Sequence, residues 1–129
     1  MAKRHNSKGR SIGKPRFVAL YHWIMDTKAW RDLDSVARCT YIEIARRYAG
    51  PASNNGRVPL SVREIAESLH VSKSTALRAL RRLQDHGFII LMKRGAFSMK
   101  VRHASEWRLT EFPSDITGEM ATKDFVHWK

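Results

Sequence analysis

The spacing of apolar positions predicts two helices in the first half of the chain. One apolar stripe repeats every three or four positions over residues 17–24, which predicts a first helix ending near residue 26 or 27. A second stripe runs over residues 36–48. It is preceded by the stretch Asp32-Leu33-Asp34-Ser35, whose acids and hydroxyl favour a helix start because they can cap free N–H groups and oppose the helix dipole. A Gly-Pro pair at 50–51 favours the end of this second helix.

Two shorter helices, each with its own start signal, are predicted next. Ser61 and Glu64 have the spacing of a capping box, in which each side chain accepts a hydrogen bond from the other residue's backbone N–H. Ser72 begins a second helix over residues 72–85, and Gly87 supplies the left-handed residue that ends it. Because both helices have one apolar side and only a short turn separates them, the segment predicts a helix-turn-helix.

The helix over residues 72–85 separates into an apolar face and a basic face when its residues are placed at intervals of about 100°. The apolar face is expected to lie in the core and contains Ala76, Ala79, Leu80 and Leu83. The opposite face is expected to be exposed and contains Ser74, Arg78, Arg81, Arg82 and Asp85. A basic face of this kind suits DNA, and the alternative is an ordinary amphipathic helix with a solvated charged face.

A β-type run over residues 88–92 follows this helix directly. Residues 93–95, Lys-Arg-Gly, predict a basic turn, and a later strand is predicted over residues 104–112. Two strands joined by a basic hairpin would form a wing beside the helix pair. The alternative is a solvated hairpin whose lysines protect the strand edges. Before the helix pair, Pro59 limits residues 58–60 to a short edge strand.

The net charge is strongly positive, which favours a polyanionic partner. The chain has 24 Lys and Arg against 12 Asp and Glu, a net charge of +12, and a sequence pI near 10.6. The first sixteen residues hold six basic residues and no acidic one, whereas residues 103–129 hold three basic and five acidic residues. The positive charge therefore belongs to the N-terminal and central parts, where phosphates could be neutralised.

Three regions follow from this pattern. Residues 1–16 contain almost nothing to bury and predict a disordered basic arm, which can lie along phosphates or in a minor groove, or simply increase solubility. The cations of this arm are Lys3, Arg4, Lys8, Arg10, Lys14 and Arg16. Residues 17–112 form the predicted domain. Residues 113–129 are too apolar for a free tail, and we expect this extension to pack on the domain or on a partner.

The segment LSVREIAESLHVSKSTALRALRRLQDHGFI, residues 60–89, resembles the winged helix-turn-helix regulators of bacteria, of the GntR-like and MarR-like groups. The preceding NNGRVPLS is also similar to winged-helix domains of phage and plasmid replication proteins. The resemblance covers about residues 17–110. It implies a mostly helical α+β fold, with three to four helices and a small antiparallel β wing. It also implies DNA binding, but the motif is too widely shared to specify a biological role.

The resemblance implies that the helix over residues 72–85 reads the major groove. The candidates for base contact are Lys73, Ser74, Thr75 and Arg78. Among these, Arg78 is the best candidate for a bidentate contact with guanine. The candidates for contact with the DNA backbone are Ser72, Arg81, Arg82, Lys93, Arg94, Lys100 and Arg102.

We therefore expect a cytoplasmic, nucleoid-associated bacterial protein that binds specific double-stranded DNA and regulates transcription. A homodimer on a palindromic or repeated site is expected, because two-fold regulators commonly bind in this way. The alternative is a replication-initiation or excision factor of a plasmid, a phage or an integrated mobile element. A third possibility is a module that binds protein or RNA.

Other kinds of chemistry have little support in the sequence. The six histidines are scattered, the single cysteine is Cys39, and no pair has metal-ligand spacing, so we expect no metal and no cofactor. Cys39 falls inside the second apolar stripe and is expected to be an inert core thiol. No phosphate-binding glycine loop and no activated nucleophile is recognisable, so no enzyme activity is expected. No apolar run approaches the roughly 20 residues of a membrane span, and no pocket for a small ligand is evident.

Overall fold

A computed structural model describes residues 15–98 and 101–129, and helices dominate its first two thirds. The helices are α1 (His22–Met25), α2 (Lys28–Asp32), α3 (Ser35–Ala45), α4 (Val62–Leu69) and α5 (Lys73–Asp85). The first two helices are only about one turn long. The three longer helices pack against one another and form the helical layer of the domain.

The strands form a three-stranded sheet and a separate two-stranded hairpin. They are β1 (Val58–Pro59), β2 (Ile89–Lys93), β3 (Ala96–Ser98), β4 (Val101–His103) and β5 (Glu106–Leu109). β5 is the central strand and is antiparallel to both β1 and β2, so β1 is an edge strand, as its proline requires. The β3–β4 hairpin is inserted between β2 and β5. This α+β arrangement is the predicted winged-helix fold.

The apolar stripe predicted one first helix from residue 17, but the structure has two short helices, α1 and α2, that begin later. Residues 15–21 carry no regular secondary structure, and Phe17 is 85% exposed. Tyr21 precedes α1 without a side-chain cap, whereas the Thr27 hydroxyl accepts a hydrogen bond from the Trp30 N–H at 3.2 Å. This cap starts α2 and brings Trp30 into the core. Because Phe17 and Tyr21 are exposed, no buried apolar face holds residues 17–21 in a helix.

α3 begins where predicted, but it ends at Ala45 and does not continue to the predicted end at Gly50-Pro51. One Asp34 carboxylate oxygen accepts a hydrogen bond from the Ala37 N–H at 2.8 Å, which fixes the helix start. The buried face of α3 contains Ala37, Thr40, Tyr41, Glu43 and Ile44. Cys39 is exposed, so the expectation of a core thiol was wrong. Its position in the sequence, between two buried positions of a helix, turns its side chain away from the core.

Four aromatic side chains form the centre of the core. Phe88, directly after α5, meets Trp30 of α2 and Tyr41 of α3 edge to face, at ring-centroid distances of 5.8 and 5.5 Å. Phe125 stacks on Phe88 at 4.6 Å, with an interplanar angle of 6°. All four side chains are buried. Aromatic pairs in these geometries stabilise a fold by roughly 0.5–1.5 kcal/mol each beyond the burial of their area.

The C-terminal segment reaches the core through a 3-10 turn at Asp124–His127. Gly87 has a φ of +83°, and a Cβ at this position would lie 2.8 Å from the backbone nitrogen of Phe125. Only glycine permits both the left-handed conformation and this close approach. Trp128 stacks on the imidazole of His86 at 4.1 Å. The segment is thereby held against the end of α5.

Asn55 holds the loop before β1 to the end of β5. Its side chain is fully buried. The amide group donates to the carbonyl oxygens of Leu109, Phe112 and Pro113 at 2.9–3.2 Å, and the amide oxygen accepts from the Leu109 N–H at 2.7 Å. One side chain therefore satisfies backbone groups that would otherwise be buried without partners.

Glu111 follows β5 and is buried beside α3. The Tyr41 hydroxyl donates to Glu111 Oε1 at 2.5 Å, while Oε2 has no hydrogen-bond partner among the described residues. Burial raises the pKa of the Glu111 carboxyl, and the Tyr41 hydrogen bond and the charge of Lys123 oppose this shift only in part. Burial, with the charge and hydrogen bond of Glu111, also raises the pKa of Tyr41 well above its usual value.

Removing the Phe125 ring should destabilise the whole domain. For Phe125→Ala we expect the free energy of unfolding to fall by about 3–5 kcal/mol, the range for deleting a buried phenylalanine side chain. The matched control is Val126→Ala in the same turn, where the side chain is 48% exposed and the expected loss is about 1 kcal/mol at most. Equilibrium urea unfolding measures both values. Equal, small losses would mean that the segment is detached in solution.

Glu111 should make the stability depend on pH. Because its pKa is raised in the folded protein, its contribution is fully present below the ordinary value of 4.5 and is lost as pH rises through the folded pKa. The wild type should therefore lose stability relative to Glu111→Gln over that range, since glutamine keeps an acceptor for Tyr41 without a charge. Urea unfolding of both proteins across acidic to neutral pH checks this. A stability difference that does not change with pH would contradict the prediction.

Candidate nucleic-acid interface

Side-chain caps fix the starts of α4 and α5. At α4, Ser61 Oγ accepts from the Glu64 N–H at 3.1 Å, and Glu64 Oε1 accepts from the Ser61 N–H at 3.2 Å, which is the predicted capping box. At α5, Ser72 Oγ accepts from the Thr75 N–H at 3.2 Å. Caps of this kind are each worth about 1 kcal/mol. Both helix starts are therefore set by local hydrogen bonds.

The turn between the two helices is three residues long. His70 ends α4 in the left-handed conformation, with a φ of 56°, which is uncommon for a residue other than glycine. The Val71 N–H donates to the Ala66 carbonyl oxygen at 3.1 Å, and the Val71 side chain packs against the core. This turn redirects the chain so that α5 packs on both α3 and α4.

α5 buries one side and exposes the other. The buried residues are Ala76, Ala79, Leu80 and Leu83, as predicted. The exposed residues are Lys73, Ser74, Leu77, Arg78, Arg81, Arg82 and Asp85, and Thr75 is half-buried. We call the exposed surface formed by Lys73, Ser74, Arg78 and Arg81 the basic face of α5. The structure brings these four predicted residues together on one helix surface.

Two arginines of α5 have partners within the protein. Arg78 Nη2 donates to the Thr75 hydroxyl at 3.2 Å, so its guanidinium lies over the first turn of the helix. Arg82 Nε lies 3.9 Å from an Asp34 carboxylate oxygen at the start of α3. Because the Arg82 and Asp34 side chains are 45% and 57% exposed, this ion pair is weak and can give way to a phosphate.

The wing differs from the predicted hairpin. Lys93 and Arg94 lie at the end of β2, beside a shift in its register with β5, and not at the hairpin tip. Gly95 marks a close approach between two segments of the backbone instead of a turn, since a Cβ there would lie 2.7 Å from the His103 carbonyl oxygen. The hairpin continues beyond this point as β3 and β4.

Only some of the other residues predicted to contact DNA lie within the described part of the chain. Lys93 and Arg94 are exposed, and Arg102 lies on β4 opposite Phe97. Arg16 is exposed and helps to form the wall of a cavity. The other predicted cations lie outside the described residues: Lys100 of the wing, and Lys3, Arg4, Lys8, Arg10 and Lys14 of the arm.

A groove of about 790 Å³ separates α4 from the base of the wing. Lys73 lines this groove together with Arg63 of α4 and His103 of β4, two exposed residues that the sequence did not single out. Arg63 forms an ion pair with Glu67 at 3.1 Å. The position of Arg63 in the first turn after the Ser61 cap could have identified it from the sequence as a residue near the proposed interface. The position of His103 in this groove could not have been predicted, because it depends on how the wing packs.

No group of three or more His, Cys, Asp or Glu residues within residues 15–98 and 101–129 is arranged to hold a metal ion. Over the same ranges, every helix is too short or too polar to cross a membrane.

A capped helix, a three-residue turn, a second helix with an exposed basic face and a following β-hairpin define a winged helix-turn-helix. In this class of protein the second helix of the pair is the one that enters the major groove of DNA.

The IclR helix-turn-helix domain matches residues 52–89, from the loop before β1 to the first residue of β2. The match covers less than a third of the chain. It supports a helix-turn-helix DNA-binding regulator of transcription, and it does not support the GntR-like or MarR-like groups in particular. No curated protein and no solved structure matches the chain.

The Ser72 cap should be worth a measurable part of the stability. We expect Ser72→Ala to lower the free energy of unfolding by about 1 kcal/mol, because it leaves the first turn of α5 without its acceptor. Lys73→Ala is the matched control, since it changes an exposed side chain in the same turn and should change stability by no more than about 0.5 kcal/mol. Thermal or urea unfolding of the two variants gives the comparison. Losses of equal size would show that the cap does not fix the helix start.

Proposed function

We propose that this protein is a sequence-specific double-stranded DNA-binding regulator of transcription, acting as a binding protein and not as an enzyme. The observation that carries this proposal is the basic face of α5, which is exposed along a helix anchored by buried alanines and leucines. α5 would lie in the major groove with its N-terminal turn deepest. The net charge of +12 would add attraction to any phosphate backbone.

Different residues would read bases and hold phosphates. Lys73, Ser74 and Arg78 are exposed at the N-terminal half of α5 and are the proposed base contacts, with Arg78 donating to guanine. We propose that Thr75 contributes less to base contact, because it is half-buried and its hydroxyl already accepts a hydrogen bond from Arg78. The proposed phosphate contacts are Ser72, Arg81, Arg82, Lys93, Arg94, Lys100, Arg102 and the basic arm before Phe17.

We further propose that two copies bind together on a palindromic or repeated site. α5 is 13 residues long, and one such helix contacts only a few base pairs. A second copy would double the number of bases read and so raise specificity. Selection of bound fragments from genomic DNA tests target and symmetry at once, since a promoter palindrome favours a regulator and iterated repeats near an origin favour a replication factor.

Variants of α5 separate base contact from phosphate contact. We expect Arg78→Ala to cost about 1–3 kcal/mol on the preferred site and to relax preference at one base pair. We expect Arg81→Ala to weaken binding to all sequences alike and to reduce the salt dependence by about one phosphate contact. Affinity measurements on a selected site and its single-base variants, at several salt concentrations, give both results.

Arg31→Ala is the matched control for these measurements. Arg31 is an exposed arginine on α2, where it forms an ion pair with Asp26 at 3.6 Å. Its loss removes the same charge from a surface outside the proposed interface. A uniform loss across all sequences for Arg78→Ala would overturn its assignment to bases. Equal losses for Arg31→Ala and Arg81→Ala would overturn the placement of the interface on α5.

A further inference from the structure

Leu77 is an apolar side chain on the otherwise polar exposed surface of α5. The residue is 38% exposed. Within α5, all of whose residues the structure describes, it is the one apolar residue that is exposed. The four buried apolar residues of the helix are each at most 4% exposed, and they belong to the hydrophobic core, whereas Leu77 lies outside it. Leu77 therefore contributes little to the packing that holds α5 in place.

The position of Leu77 is within the basic face of α5. It lies four residues after Lys73 and four residues before Arg81, and residues at this spacing are neighbours on the surface of a helix. Long side chains in helices lean towards the N-terminus of the helix. We therefore expect the Leu77 side chain to cover the turn that contains Lys73 and Ser74. This is the turn that would lie deepest in the major groove.

Leu77 and Arg78 lie on different flanks of α5. Arg82 marks one flank, where it pairs with Asp34 of α3 at 3.9 Å. Lys73 marks the other flank, since it lines the groove between α4 and the base of the wing. At about 100° per residue, Leu77 lies about 40° from Lys73 and about 100° from Arg78. Leu77 would therefore face a different base from the one that Arg78 contacts.

An apolar side chain in the major groove has one apolar partner among the base edges. Each base presents hydrogen-bonding groups there, and thymine also presents its C5 methyl group. A leucine can neither donate nor accept, so against a wholly polar edge it would displace water without replacing the lost hydrogen bonds. Against the thymine methyl group it buries apolar surface, which is favourable.

We propose that Leu77 selects thymine by packing against its C5 methyl group in the major groove. This inference rests on the proposed function, and it adds a second base to the guanine assigned to Arg78. The thymine would lie within roughly two base pairs of that guanine, because one turn of α5 advances about 5.4 Å and successive base pairs are about 3.4 Å apart.

Replacing single thymines by deoxyuridine tests this contact, because the change removes the methyl group and keeps base pairing. In a duplex selected from genomic DNA, each thymine is replaced in turn, and affinity is measured for the wild type and for Leu77→Ala. At one position in the site read by each copy, the wild type should bind the uracil duplex about fourfold more weakly, the effect of leaving one methyl group unburied. Leu77→Ala should bind the two duplexes alike at this position.

Two further variants locate the effect. Leu77→Met keeps an apolar side chain of similar volume and should retain the preference for thymine over uracil. Ile42→Ala is the matched control, since Ile42 is also 38% exposed but lies on α3, outside the basic face of α5. This variant should show the full fourfold preference.

The proposal is overturned if uracil is tolerated at every thymine of the site, if Leu77→Ala keeps the wild-type preference, or if Ile42→Ala lowers the preference as much as Leu77→Ala does. These results leave the proposed function intact, because the wild type still binds its duplex in each of them. Failure of the proposed function is a separate result, the absence of duplex binding by the wild type, and it would overturn this inference as well.

Discussion

Phe88 is the residue on which the arrangement of the domain depends. It sits between the end of α5 and the start of β2, and its ring meets Trp30, Tyr41 and Phe125 from three other parts of the chain. Burial of one ring therefore holds the proposed recognition helix to the N-terminal helices and to the C-terminal segment. Gly87 makes this possible, because any larger residue would collide with the Phe125 backbone. The orientation of α5 is thus a consequence of core packing.

The helix pair was the most predictable part of the fold, since its signals are local. The Ser61–Glu64 box and the Ser72 cap act within four residues of sequence, and the structure contains both. The apolar face of α5 also followed directly from helical periodicity. The prediction from the first apolar stripe was wrong over residues 17–21, which have the spacing of a helix but leave Phe17 and Tyr21 exposed. Periodicity predicted a helix correctly where the apolar stripe is buried.

Contacts between distant residues could not be predicted in the same way. Residues 93–95 have a sequence typical of a turn, but Gly95 lies close to the backbone of His103 and Ser105 beyond the hairpin, which the local sequence does not indicate. The sequence of the loop around Asn55 likewise does not predict that its side chain hydrogen-bonds with the backbone at the end of β5. The same is true of the candidate interface, where the basic face of α5 was found from sequence and His103 was not.

The proposed function requires that the basic face of α5 contacts duplex DNA. Amide chemical-shift mapping of the labelled protein with a selected DNA duplex tests this contact. We expect the largest changes at Lys73, Ser74, Arg78 and Arg81, followed by Lys93 and Arg94 of the wing, with small changes around Glu111. Changes concentrated on α1, α2 or the C-terminal segment, with α5 unaffected, would contradict it.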